Sequence, residues 1–122
     1  MVGGSSNTIA NNTRYSFIGG GCNNTTNTSQ YPIIVGGSNN TTTGDHTFIG
    51  GGSGNTAAAN SVVVGGIYNT GSGTWSAIVG GCNNNIVVTT GNCSFIGGGI
   101  SNTIENKESV IGGGKNNCAG VS

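Results

Sequence analysis

A nine-residue phrase recurs along the chain and always ends in asparagine. Examples are SFIGGGCNN at 16–24, TFIGGGSGN at 47–55, SFIGGGISN at 94–102 and SVIGGGKNN at 109–117. The closing asparagines of successive copies are separated by 17, 16, 15, 14, 15, 18 and 15 residues. Self-similarity at a short, near-constant period predicts a repeat protein in which every copy forms the same structural unit. These anchor asparagines are Asn7, Asn24, Asn40, Asn55, Asn69, Asn84, Asn102 and Asn117.

Several positions of the phrase, counted backwards from the anchor asparagine, carry one kind of residue. Position −6 is Ile or Val, with Met1 in the first copy, position −7 is apolar, and position −8 is Ser or Thr except at Pro32. All variation in length falls in the connections, which hold 8, 7, 6, 5, 6, 9 and 6 residues and are therefore expected to be exposed. Positions −4 and −3 are always glycine: Gly3, Gly4, Gly20, Gly21, Gly36, Gly37, Gly51, Gly52, Gly65, Gly66, Gly80, Gly81, Gly98, Gly99, Gly113 and Gly114.

The glycine pairs restrict the fold class. Each glycine in a helix costs about 1 kcal/mol against alanine, and collagen needs glycine at every third position. Short aliphatic strands closed by glycines predict an all-β protein: a parallel β-solenoid, or β-roll, of about eight coils with a 14–18-residue repeat, forming a single domain over residues 1–122. A loop-rich low-complexity segment is the alternative, which the fixed positions disfavour. We expect the glycine pair to make a tight corner. The asparagine amides are expected to stack as a ladder, each donating to one neighbouring coil and accepting from the other.

Two adjacent apolar positions point beyond a single chain. Phe17 and Ile18 are neighbours in a strand, so their side chains face opposite sides. One position fills the interior of the coil, and the other would form an exposed apolar stripe, which usually marks an interface. The sequence therefore predicts a homo-oligomer. The alternative is a monomer in which both positions share one twisted corner.

The phrases SVVVGG at 61–66 and SAIVGG at 76–81 resemble the Ser-Val-Ala-Ile-Gly phrase of trimeric autotransporter adhesin heads. The arrays of IGGG followed by asparagine are similar to those of repetitive phage and large-virus fibre proteins. The resemblance spans essentially the whole chain. It implies a β-roll assembled as a homotrimer, in an extracellular, cell-surface or virion-surface location.

Composition argues against several classes of function. Charged residues are 5% of the chain and the net charge is zero, so nucleic acid has no electrostatic reason to bind. No apolar run approaches the roughly 20 residues of a membrane helix, so no membrane insertion is expected. The lone His46 beside the lone Asp45 does not make a catalytic constellation, and GGGKNN at 112–117 lacks the spacing of a phosphate-binding loop. We expect no enzymatic activity, no cofactor and no metal site.

The four cysteines do not predict an intrachain disulfide. Cys22 and Cys82 share a position but lie four coils apart, roughly 19 Å, whereas a disulfide needs Cα atoms within about 7 Å. Cys93 and Cys118 occupy other positions. Small buried thiols are expected, with a bond to a neighbouring chain as the alternative.

Position −9 carries four aromatic or imidazole side chains beside the variable connections. Aromatic faces on a rigid rod can stack against sugars or a protein receptor. The alternative is simple packing at the coil edge. The candidate ligand contacts are Arg14, Tyr15, Tyr31, His46 and Trp75.

The leading hypothesis for function is a structural fibre module, and an adhesive or receptor-binding role of that fibre is a further hypothesis. A self-assembling filament that stacks head to tail is the first alternative. An ice-binding protein is the second, because threonine follows the anchor asparagine in six copies.

Overall fold

The computed structural model describes residues 1–87 and 91–120, and these residues form a parallel β-solenoid with two short strands in each coil. The strand after each anchor asparagine belongs to one sheet: β1 (Thr8–Ile9), β3 (Thr25–Thr26), β5 (Thr41–Thr42), β7 (Thr56–Ala57), β9 (Thr70–Gly71), β11 (Asn85–Ile86), β13 (Thr103–Ile104) and β15 (Cys118–Ala119). The strand at positions −7 and −6 belongs to the other: β2 (Phe17–Ile18), β4 (Ile33–Ile34), β6 (Phe48–Ile49), β8 (Val62–Val63), β10 (Ala77–Ile78), β12 (Phe95–Ile96) and β14 (Val110–Ile111).

Equivalent residues of successive copies lie directly over one another. Phe17 pairs with Ile33 in one sheet, and Thr25 pairs with Thr41 in the other, in parallel register. A third file of isolated bridges links the residues at position −2, beginning with Ser5 and Cys22. The predicted solenoid is therefore confirmed, including the alignment of each phrase with the next.

The interior is narrow and receives one side chain from each strand. Position −6 supplies Ile18, Ile34, Ile49, Val63 and Ile78, all with no exposed surface. The second residue after each anchor faces them; Ala57, Ile86 and Ile104 belong to the same apolar cluster, whereas threonine or glycine takes this position in three coils. A buried aliphatic side chain contributes about 1.5–3 kcal/mol relative to the exposed state, so this file supplies much of the apolar stabilisation.

The anchor asparagines form the predicted ladder, although most of their partners are backbone groups. The side-chain Nδ2 of Asn69 donates to the carbonyl of Gly65 in its own coil at 3.0 Å and to that of Gly81 in the next coil at 3.1 Å. Its Oδ1 accepts the backbone N–H of Asn84 at 3.0 Å. The same arrangement recurs along the rod, and six of the asparagines are buried with no exposed surface: Asn24, Asn40, Asn55, Asn69, Asn84 and Asn102.

The two glycines of each pair have different roles. The second glycine has a φ of +82° to +99° in every copy, and a Cβ there would collide with the carbonyl oxygen of the next coil's glycine, as at Gly66 against Gly81. This confirms the expected tight corner. The first glycine lies outside the left-handed region, and a Cβ on Gly65 would meet nothing within 4 Å. The expectation that both glycines serve the corner is therefore wrong for the first one, which no contact within the chain requires.

Two hydroxyl groups in the interior have no hydrogen-bond partner among the described residues. They are the Oγ1 atoms of Thr26 and Thr42, which stack in neighbouring coils with no exposed surface. Valine has nearly the shape of threonine without the unpaired polar atom.

We expect Thr26→Val and Thr42→Val each to raise the free energy of unfolding by roughly 1 kcal/mol, because each removes a buried hydroxyl that lacks a partner. Denaturant unfolding measures the change. Thr25→Val, on the outer side of the same strand, is the control and should stay within about 0.5 kcal/mol of the wild type. A loss of stability in the interior variants would show that these hydroxyls are in fact bound.

Replacement of one ladder residue should be far more damaging. Asn69→Ala removes four hydrogen bonds, two donated by Nδ2 and two accepted by Oδ1, and leaves the backbone N–H of Asn84 unpaired inside the rod. We expect a loss of about 3 kcal/mol in the free energy of unfolding. Asn83→Gly is a matched control, because Asn83 is the exposed neighbour of a ladder residue in a left-handed conformation that glycine adopts freely. Equal effects in the two variants would contradict the role assigned to the ladder.

Candidate functional site

One side of the rod carries a continuous apolar face, formed by the residues at positions −7 and −5. Both positions point away from the interior, because position −6 between them points inward. Phe17, Ile33, Phe95 and Val110 are 41%, 37%, 38% and 71% exposed. The face consists of Phe17, Ile33, Phe48, Val62, Ala77, Phe95 and Val110 at position −7, and Val2, Gly19, Val35, Gly50, Val64, Val79, Gly97 and Gly112 at position −5.

A phenylalanine at position −7 of the apolar face restricts the residue at position −5. Wherever position −7 is phenylalanine, position −5 is glycine, as in the pair Phe17 and Gly19. A Cβ on Gly19 would lie 3.1 Å from the Phe17 ring and would also meet the carbonyl of Val35. Smaller residues at −7 accompany valine at −5 in three coils, as in Ile33 with Val35 and Ala77 with Val79, whereas Val110 is accompanied by glycine. The glycine beside each phenylalanine is required within the chain, by the ring and by the backbone carbonyl of the next coil.

The first glycines of the pairs border this face. In all eight copies a Cβ at this position would meet nothing within 4 Å, and yet the residue is always glycine. The space beside these glycines lies open outside the chain. A close approach by a neighbouring backbone would account for the absence of side chains there.

Each coil turns at two corners whose residues have left-handed backbone. At position −1 the φ values are near 56°, as in Asn39 and Asn83, and at position −9 they are similar, as in Tyr31 and Trp75. The left-handed conformation turns the N–H toward the preceding coil: Tyr31 donates to the carbonyl of Arg14 at 2.9 Å, and Asn39 donates to that of Cys22 at 3.0 Å. Both corners thus satisfy the same backbone requirement.

The occupants of the two corners differ. Position −1 holds four asparagines and one glycine, which tolerate left-handed backbone. Position −9 holds only one asparagine and no glycine: Tyr15, Tyr31, His46, Asn60, Trp75, Cys93 and Glu108. A left-handed conformation costs an ordinary residue roughly 1–2 kcal/mol. The large side chains at position −9 are therefore not explained by the local backbone.

Three of these side chains form a stack on the surface. The ring centroids of Tyr15 and Tyr31 are 4.8 Å apart with an interplanar angle of 9°, and those of Tyr31 and His46 are 5.0 Å apart at 14°. Such pairs contribute about 0.5–1.5 kcal/mol each, which offsets part of the backbone strain. All three residues are exposed, Tyr15 by 73% and Tyr31 by 44%.

A row of polar side chains runs beside the stack at position −10. Arg14, Gln30 and Asp45 are all exposed and lie in three successive coils. The backbones of Arg14 and Gln30 are paired, and a carboxylate oxygen of Asp45 accepts the backbone N–H of Gln30 at 2.7 Å. We call these six residues the aromatic corner: Arg14, Tyr15, Gln30, Tyr31, Asp45 and His46.

The structure brings four of the five predicted contact residues together and separates the fifth. Trp75 is 70% exposed at the same position but lies two coils beyond His46, with Asn60 between them. Gln30 and Asp45 were not among the predicted contacts. The signal that could have identified them is compositional, since each is the single residue of its type in the chain.

The cysteine side chains do not lie where we expected. All four are free; Cys22, Cys93 and Cys118 are exposed and Cys82 is half-buried. The expectation of buried thiols is therefore wrong, because positions −9 and −2 and the residue after the anchor face outward. A bond to a neighbouring chain stays a prediction.

The outer threonine file is short. Five threonines, Thr8, Thr25, Thr41, Thr56 and Thr70, stack in register, and Asn85 interrupts the file in the next coil. Over the described residues, no three His, Cys, Asp or Glu side chains come close enough to hold one metal ion. Nor does that part of the chain contain a helix that could cross a membrane.

No protein family model matches this chain, and no curated protein is similar to it in sequence.

Proposed function

We propose that the chain is a structural module of an extracellular, cell-surface or virion-surface fibre, in which copies associate side by side on the apolar face as a homotrimer. The observation that carries the proposal is the apolar face itself, which lies exposed along the rod at positions −7 and −5. Each coil adds about 4.8 Å to the rod, so length comes from repetition, and rigidity comes from backbone pairing and the asparagine ladder. No catalytic role is part of this proposal.

The composition of the apolar face supports association with further copies of the chain. It contains no charged or polar side chain in any coil. An exposed apolar surface that runs the length of a rod favours a partner with the same axial repeat, because only such a partner presents matching features to every coil. Another copy of this chain has the same axial repeat because it has the same sequence. The resemblance to adhesin heads implies that three chains assemble around one axis.

The first glycines support the same assembly. A backbone without side chains at the border of the apolar face lets a neighbouring chain approach closely, as small residues do at other tightly packed interfaces. Gly51→Ala should leave the coil intact, since a Cβ there meets nothing within 4 Å. In an assembled rod, the same methyl group would meet the neighbouring chain.

The mass in solution tests the proposal. We expect light scattering on the wild type to give three times the chain mass of 11.9 kDa. The double variant Phe48→Glu with Val64→Glu should fall to a single chain, because association would bury unpaired carboxylates at a cost of several kcal/mol. Gly51→Ala should weaken association without loss of folded structure.

Thr56→Glu is the matched control, because it places a carboxylate on the outer side of the opposite sheet. It should assemble as the wild type does. A wild-type protein that is monomeric at every concentration, with the apolar face open to water, would refute lateral assembly.

The polarity of the backbone hydrogen bonds favours a second candidate, a filament that grows head to tail. Strand N–H groups donate to the following coil throughout, as from Thr41 to Asn55 and from Val62 to Ser76. Every coil edge is therefore complementary to the edge of the coil that follows it, and separate molecules could stack with the same polarity.

Electron microscopy of the purified wild type distinguishes the two modes of assembly. Lateral trimers alone should give rods of one length, set by the number of coils. Head-to-tail growth should give fibres of unlimited length, whose mean length increases with protein concentration. Uniform short rods would exclude the filament.

A further inference from the structure

We infer that the aromatic corner, formed by Arg14, Tyr15, Gln30, Tyr31, Asp45 and His46, is a binding site for a neutral saccharide that lies along the rod. The sequence identified part of this surface as a possible contact for a sugar or a receptor. The structure defines its extent, the groups it presents and the class of ligand that suits them.

Residue types that are rare elsewhere in the chain are concentrated at this corner. The chain contains one Arg, one Gln, one Asp and one His, and all four lie at positions −10 and −9 of three successive coils. Two of the three tyrosines lie there as well. The remaining surface is mostly Gly, Asn, Ser and Thr. A fold that repeats one phrase has no structural need for these side chains in only three coils, so their clustering indicates a local function.

The backbone at this corner supports the same inference. Tyr15, Tyr31 and His46 have φ values of 53°, 58° and 52°, in a conformation that Asn60 occupies with less strain in the next coil. Stacking between the rings offsets only part of this strain. The same left-handed backbone recurs at position −9 in the later coils, so the strain belongs to every coil. The site is distinguished by three ring side chains that are kept at this costly position in successive coils.

The stack presents ring edges rather than ring faces. Both faces of Tyr31 are covered, one by Tyr15 and the other by His46. The ligand therefore meets hydroxyl groups and imidazole nitrogens in a line spaced by about one coil, with the row of Arg14, Gln30 and Asp45 beside it. Stacking of sugars on ring faces at position −9 stays a prediction, and Trp75, which is 70% exposed, is the candidate for it.

The groups of the site match a neutral polyhydroxylated ligand. Arg14 donates only, the free oxygen of Asp45 accepts only, and Gln30 and the tyrosine hydroxyls can do both. Saccharide hydroxyls likewise donate and accept hydrogen bonds, and they lie on neighbouring carbon atoms of the sugar ring. The single positive and single negative charges lie two coils, or about 10 Å, apart, so the site does not attract a polyanion such as a sulfated or sialylated glycan.

The inference builds on the proposed fibre in one respect. Three copies around one axis would present three identical sites, so weak single contacts would add up to firm attachment. A single chain should still bind, with lower apparent affinity. Binding and assembly can therefore be measured separately on the same samples.

The test uses the full chain on an array of immobilised neutral, sialylated and sulfated oligosaccharides. We expect the wild type to bind neutral oligosaccharides in preference to the charged ones. The triple variant Tyr15→Asn, Tyr31→Asn and His46→Asn should bind about tenfold or more weakly, because it removes the ring edges and keeps a residue suited to left-handed backbone. The double variant Arg14→Ser with Asp45→Asn should lose a similar amount.

Glu108→Asn changes the same corner in a coil outside the site and should bind as the wild type does. Thermal unfolding of the triple variant should occur at or above the wild-type temperature, which excludes loss of fold as the cause. Equal binding by wild type and triple variant, a preference for charged glycans, or no glycan binding would each overturn the inference. Light scattering on the same samples shows independently whether the trimer forms.

Discussion

The structure depends on the contact between each anchor asparagine and the glycines of its own and the following coil. The side chain of Asn69 closes the phrase on itself through Gly65 and holds the next phrase through Gly81. The carbonyl of Gly81 also accepts the N–H of Ile67 at 2.9 Å, so side chain and backbone converge on one acceptor. An additional residue between the glycine pair and the asparagine would break both contacts at once. This explains why the phrase has one length throughout while the connections vary.

Because the hydrogen bonds between the anchor asparagines and the glycines fix the size of the interior, the positions that are free to vary lie on the outside. Position −6 cannot enlarge, since seven of the largest fully buried side chains are the isoleucines that already fill the interior. The apolar face changes in volume from coil to coil but stays apolar throughout, whereas the aromatic corner changes from aromatic to polar and charged side chains. A constant apolar character fits a partner that repeats with the rod, and a changing character fits a ligand that is met only locally.

The architecture was predictable because each position of the phrase occupies the same environment in all eight copies. Fixed glycines, a fixed asparagine and two adjacent apolar positions are enough to predict one apolar position inside the coil and one outside, and the structure shows that Ile18 is the inner and Phe17 the outer residue. Repetition was also misleading, since it gave both glycines of a pair one role, although only the second has left-handed backbone. Exposure of the thiols was missed because a small side chain such as Cys93 was assumed to be buried.

The aromatic corner was only partly predictable, for a physical reason. Left-handed corners are usually recognised from Asn or Gly, which identify position −1 but not position −9. Tyr31 and His46 adopt this backbone because the N–H of the corner residue must reach the preceding coil, a requirement set by the stack of coils rather than by the residue.

Because the solenoid needs only the backbone N–H of the residue at position −9, the side chain there can serve binding without a role in holding the coils together. The corner contributes to the solenoid through its backbone alone, since His46 pairs with Gln30 and Asn60 pairs with Asp45 by identical N–H bonds despite their different side chains. A substitution at position −9 therefore changes the surface of one coil and the local strain, but not the register of the rod. A repeat of this kind can acquire a binding site one coil at a time, each step limited only by the strain that stacking or a ligand must offset.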